Sequence, residues 1–104
     1  MLVNRRTFVV NKPYLEEALG LLVELGQLTK RVAPDAVVRV YASEYGPFDT
    51  IACEVETENL TTVEQFFTRL NTDPQVAGRF GELFRRWQEI TAPGGTNEIW
   101  RLVE

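Results

Sequence analysis

Three polar side chains on two neighbouring extended segments form the densest cluster of chemistry in this chain: Arg39, Tyr41 and Glu54. Residues two apart on a strand share a face. Arg39, Tyr41 and Ser43 therefore align on one segment, and Thr50, Ala52, Glu54 and Glu56 on the next. A turn centred near Gly46-Pro47 sets Arg39 opposite Glu54 and Tyr41 opposite Ala52. In an apolar cavity such a trio is catalytic machinery: Arg39 fixes an anionic or carbonyl oxygen, Glu54 accepts a proton and Tyr41 donates one. In a packed interface the same residues are a cross-strand ion pair.

A second set is suited to holding a ligand: Asn4, Arg6, Trp87 and Trp100. Arg6 shares a strand face with Asn4, Phe8 and Val10, so its charge lies beside apolar neighbours and an ion pair with an acid on another strand is expected. Trp87 and Trp100 offer flat surfaces for an aromatic ligand, although their spacing also suits core positions. Cys53, between Ile51 and Val55 on an apolar strand face, reads as a small buried hydrophobe rather than a nucleophile.

What is missing narrows the chemistry further. The 104 residues contain no histidine, which removes the commonest general base, haem ligand and zinc ligand. One cysteine completes neither a structural zinc site nor an intramolecular disulfide. A metal would need a carboxylate cage, and the run Glu54, Glu56, Glu58 reads instead as a solvated or salt-bridged strand end. No metal and no cofactor are therefore expected. With 15 acidic against 11 basic residues and a net charge of −4, the chain lacks the positive field that meets phosphates, so no nucleic acid is expected. No apolar run approaches the roughly 18 residues of a membrane span and no signal-type h-region opens the chain. The expectation is a cytoplasmic protein with no membrane contact.

The elements that must position these residues follow from periodicity. Residues 2–11 read as a strand rich in β-branched and aromatic side chains. Pro13 sits where a helix begins, and Tyr14, Ala18, Leu21, Leu25, Leu28 and Val32 follow one helical face until Pro34. Ala36–Ser43 and Phe48–Glu56 form an antiparallel hairpin around Gly46-Pro47. Thr61 with Glu64 fits a capping box, and Val63, Phe66, Phe67 and Leu70 continue at helical spacing. Asp73-Pro74 restarts a helix buried through Val76, Phe80, Leu83, Phe84, Trp87 and Ile90, with Glu82 and Arg86 as an exposed pair. Pro93-Gly94-Gly95 reads as the last break, and Asn97–Val103 as the closing strand. One domain spanning residues 1–104 results: an α+β, ferredoxin-like βαββααβ fold with a four-stranded antiparallel sheet.

In that topology the helices cover one face of the sheet, yet the strands carry apolar residues on both. Phe8, Val9 and Val10 run together, as do Val37, Val38, Val40 and Tyr41, and Ile99, Trp100, Leu102 and Val103. An uncovered apolar sheet is larger than soluble monomers tolerate. A homodimer made by packing sheets face to face is the expected assembly. The third strand lacks the basic and aromatic context of RNA-binding domains of this topology.

From about Asn4 to Val103 the chain resembles the dimeric α+β barrel superfamily. Asn4-Arg5-Arg6-Thr7-Phe8 is similar to the opening strand of NIPSNAP-type domains, where Arg-Thr-Tyr is typical; Phe8 replaces that tyrosine. Pro13 with its long helix, Ser43–Gly46 and Asp73-Pro74 fit the same pattern. The resemblance implies a dimer joined through its sheets and a pocket between helices and sheet. It also implies a small molecule as partner, with antibiotic-monooxygenase-like chemistry as one option: cofactor-independent oxidation or isomerisation of an aromatic or polyketide-like substrate. A non-catalytic ligand-binding or assembly module is the alternative. Haem-degrading relatives use an Asn, a Trp and a His; Asn4 and Trp87 are present here, but no histidine is.

Overall fold

Proline and alternating valines place the first elements where the sequence requires them. The computed structural model describes residues 1–104. Strand β1 (Leu2–Val10) leads through a 3-10 turn at Lys12–Tyr14, with Pro13 inside it, into helix α1 (Leu15–Val32). Strands β2 (Val37–Ala42) and β3 (Thr50–Thr57) form the hairpin, followed by helices α2 (Leu60–Thr72) and α3 (Ala77–Ile90) and strand β4 (Thr91–Arg101). The sheet order is β2-β3-β1-β4, with every pairing antiparallel. This is the expected α+β, ferredoxin-like architecture. No helix is long and apolar enough to cross a membrane.

The helices lie on one face of the sheet and the other face is open. Val10, Ile51, Cys53 and Val55 of the sheet meet Ala18 and Leu22 of α1 and Ile90 of α3 in one core cluster. A second cluster joins the three helices through Leu28, Val32, Val63, Phe66, Leu70 and Phe80, among others. Leu21 and Leu25 touch both. Each large side chain so buried contributes about 1.5–3 kcal/mol. Gly26 lets α1 approach β2, because a Cβ there would meet Val38 Cγ1 at 2.9 Å.

Several local expectations are corrected. The cap of α2 is Asn59, whose Oδ1 accepts the Thr62 N–H at 2.9 Å, rather than the Thr61–Glu64 box; an Asx side chain two residues earlier reaches the orphan donors first. Asp73 does turn the chain, accepting the Gln75 N–H at 2.8 Å, but regular helix begins only at Ala77. Arg86 passes over Glu82 and grips Glu17 of α1 at 2.6 and 2.8 Å, while Arg79 takes Glu24 and Glu82. A bidentate reach across helices is better geometry than a single i,i+4 contact. Phe84, expected in the core, is 44% exposed.

The largest correction concerns Pro93-Gly94-Gly95, which lies inside β4 rather than before it. The register shifts between Thr7 and Val9 of β1, so the ladder absorbs the irregular residues as a bulge. Gly94 takes φ +119°, and a Cβ on Gly95 would overlap the Thr7 carbonyl oxygen. Pro93, without an N–H, is tolerated because β4 is an edge strand.

Candidate functional site

Alternation along β1 sends Arg5 to the open face of the sheet and Arg6 beneath the helices, so two polar groups form back to back.

On the open face, Arg39 stands opposite Glu54 and Tyr41 opposite Ala52, the register expected from the turn. Tyr41 Oη donates to Glu54 Oε1 at 2.9 Å, which brings those two residues together. The cation on Glu54 is Arg5, whose Nε donates to Glu54 Oε2 at 2.7 Å; Arg39 instead lies 3.8 Å from Glu56. Burial alone would raise the Glu54 carboxyl, but the hydrogen bonds from Arg5 and Tyr41 and the nearby arginine charges outweigh it and hold it below its ordinary value. The hydrogen bond to Glu54 pushes the Tyr41 phenol up, with desolvation adding to it. At neutral pH the carboxylate is ionised, the phenol is protonated, and each satisfies the other. A depression of about 420 Å³ runs along this face, lined by Val3, Arg5, Arg39, Glu54 and Trp100 among others.

On the helix side, one row across the sheet reads Val40, Cys53, Arg6, Asn97. Asn4 is almost fully buried, and its Nδ2 donates to Asn97 Oδ1 at 2.7 Å and to the Glu98 carbonyl at 3.0 Å. Arg6 Nε donates to Asn4 Oδ1 at 3.4 Å. The guanidinium centre lies over two rings of α2, 5.0 Å from Phe67 and 5.7 Å from Phe66. The acid expected to pair with Arg6 is absent, because Glu54 of β3 reaches Arg5 and Glu56 reaches Arg39 on the opposite face. Burial pulls Arg6 below its ordinary value. Burial also pushes the Cys53 thiol up to about 11, so it stays neutral beside Arg6. Trp87 packs edge-to-face on Phe8 with ring centroids 4.9 Å apart.

The four residues expected to contact a ligand therefore divide. Asn4, Arg6 and Trp87 share the helix side, whereas Trp100 pairs with Val3 and lines the depression on the open face. Sequence reasoning missed Arg5, Asn97 and Phe67. Arg5 and Asn97 follow from alternation once β1 is known to lie between β3 and β4; Phe67, read only as part of a helical stripe, packs against the core and also supports a cation. A further depression of about 560 Å³, at the end of the sheet near Asp35, Glu56, Glu58 and Arg69, contains none of the expected residues.

No family model and no curated protein matches the chain. Solved structures do. An uncharacterised NIPSNAP domain protein from Burkholderia xenovorans superposes with a TM-score of 0.75 at 16% identity, covering 99% of this chain and 95% of that one. A NIPSNAP family protein from Agrobacterium tumefaciens gives 0.77 at 16% identity, over 96% of this chain and 90% of that one. An antibiotic biosynthesis monooxygenase gives 0.72 at 15% identity, over 100% of both chains. This chain has the NIPSNAP and antibiotic-monooxygenase fold. Within that fold, Asn4, Arg6 and Asn97 gather on the β1–β4 half of the helix side, while the β2–β3 half is apolar there except for the buried Thr57.

Proposed function

We propose that this chain is a small-molecule-binding protein that works as a homodimer, with the ligand seat on the helix side of β1 and β4. The observation that carries the reading is the Asn4–Arg6–Asn97 group, polar and partly buried, set beside the aromatic rings of Phe67 and, along the same strand face, Phe8 with Trp87. A seat of apolar walls with a few convergent polar groups is the usual form of a small-molecule site. The fold it shares with an antibiotic biosynthesis monooxygenase supports cofactor-independent oxidation or isomerisation of an aromatic or polyketide-like substrate. A fixed cation lowers the cost of forming a substrate anion, and apolar walls keep water away from it.

The open face suits the second copy. Val37, Tyr41 and Trp100 are exposed there, and Arg5 and Glu54 between them are already paired. Burying a paired group avoids the cost of an orphan charge. That internal pairing also favours the alternative, a binding or assembly module without turnover, because a clamped Glu54 is a weak base.

Oxygen uptake with a panel of quinols, run beside equilibrium binding of the same compounds and sedimentation of the protein, tests the proposal. Turnover by a dimer is the expected result. Saturable binding without oxygen uptake selects the non-catalytic reading, and a monomer at micromolar concentration removes the assembly.

A further inference from the structure

Arg6 is the anomaly of the molecule. Three other anchored arginines have carboxylates: Arg5 has Glu54, Arg79 has Glu24 and Arg86 has Glu17. Arg69 has none, but it is exposed and both its terminal amino groups are spent, on the Val32 carbonyl and on Gln65. Arg6 has none, although it is partly buried. A partly desolvated cation attracts an anion more strongly than one in bulk water. Within the chain no acid supplies that charge: the cross-strand neighbours of Arg6 are Cys53 and Asn97.

The donors of Arg6 are unevenly used. A guanidinium has five N–H groups. Nε is spent on Asn4, and the flat face stacks over Phe66 and Phe67. Stacking uses the face and leaves the edge free. The two terminal amino groups have no acceptor in the protein, and no buried polar atom is left unsatisfied, so these groups still reach solvent. Asn97 anchors Asn4, which in turn holds Arg6, so the fork is ordered before any ligand arrives.

We propose that the ligand is a flat apolar molecule bearing a carboxylate, with the carboxylate seated on the two terminal amino groups of Arg6 and the body along the aromatic side chains of the helix side. This rests on the helix-side seat proposed above. Two parallel N–H donors match the two oxygens of a carboxylate. A single cation between aromatic rings balances one negative charge, whereas a phosphate dianion calls for more.

The test is an NMR titration of the two tryptophan indole N–H signals, assigned with Trp100→Phe, using benzoate, cinnamate and 2-naphthoate and the matching neutral amides. The expected result is that the acids shift the Trp87 signal, leave Trp100 unmoved, and bind at least tenfold more tightly than the amides. Arg6→Gln should abolish that preference without weakening amide binding, and Arg6→Lys should retain part of it. Acids and amides binding equally well would overturn the carboxylate and leave the seat. A Trp87 signal unmoved by either class would overturn the seat itself. If Arg6→Gln fails to fold, the acid-to-amide ratio in the unmodified protein decides.

Discussion

Arg5 and Arg6 are the same residue type, adjacent in sequence, and meet opposite fates. Arg5 lies on the open face, half exposed and tied to a carboxylate that Tyr41 also holds. Arg6 lies under the helices, stacked on two phenylalanines with no acid in reach. A strand turns consecutive side chains to opposite sides, so one step along the backbone separates a closed electrostatic circuit from an open one. Closed circuits can be buried in an interface. A half-buried open one is where an anionic ligand is proposed to sit, and the contrast is the basis for proposing assembly on one face and binding on the other.

The sharpest way to break the comparison is to remove the strand that both faces share. Gly95→Ala drives a Cβ into the Thr7 carbonyl and should unpair β4 from β1. A loss of about 3 kcal/mol is expected from urea unfolding, with ligand seat and dimer lost together. Trp100→Ala touches only the open face. It should weaken the dimer by about 2 kcal/mol per side chain in sedimentation equilibrium, while leaving binding of aryl carboxylates at Arg6 intact. Asn4→Leu acts on the other side: it leaves the Glu98 carbonyl and Arg6 Nε without their partner and should cost about 1.5 kcal/mol in urea, with the dimer unaffected.

Glu54→Gln should give the smallest effect, about 1 kcal/mol near neutral pH, because Arg5 stays half in water. Its pH dependence is the sharper readout. The folded-state carboxyl lies below the ordinary glutamate value of 4.5, so its contribution is fully present above that value and fades as pH falls through the depressed one. The gap between the unmodified protein and Glu54→Gln in thermal unfolding should be widest near pH 7 and close in acid. A gap that widened in acid would reverse the sign of the Glu54 shift.

Much of this contrast was legible from local pattern. The Gly46-Pro47 turn and strand alternation were enough to place Tyr41 and Glu54 on one face in the correct register, because a short hairpin leaves few ways to pair its strands. Arg39 was misjudged as the partner of Glu54 for a reason local pattern cannot supply. A central strand has neighbours on both sides, and the closer cation came from β1, far away in sequence. Asn59 was passed over as a cap because the Thr61–Glu64 signature matched a stronger template two residues on. The glycines of β4 looked like a break because bulge and turn use the same residues.

The chain's own periodicities determined which segments are helix or strand, their order, and which side chains share a face, since these depend on a few residues of spacing. Its composition, with no histidine among the 104 residues, excludes histidine chemistry within them. Only the tertiary structure decided that β1 runs between β3 and β4, that Arg5 takes Glu54 while Arg6 takes two aromatic rings, and that Asn4 finds Asn97. Those pairings join residues from 49 to 93 positions apart. Which of several similar partners is reached depends on how the whole sheet closes, and no local stretch of sequence carries that information.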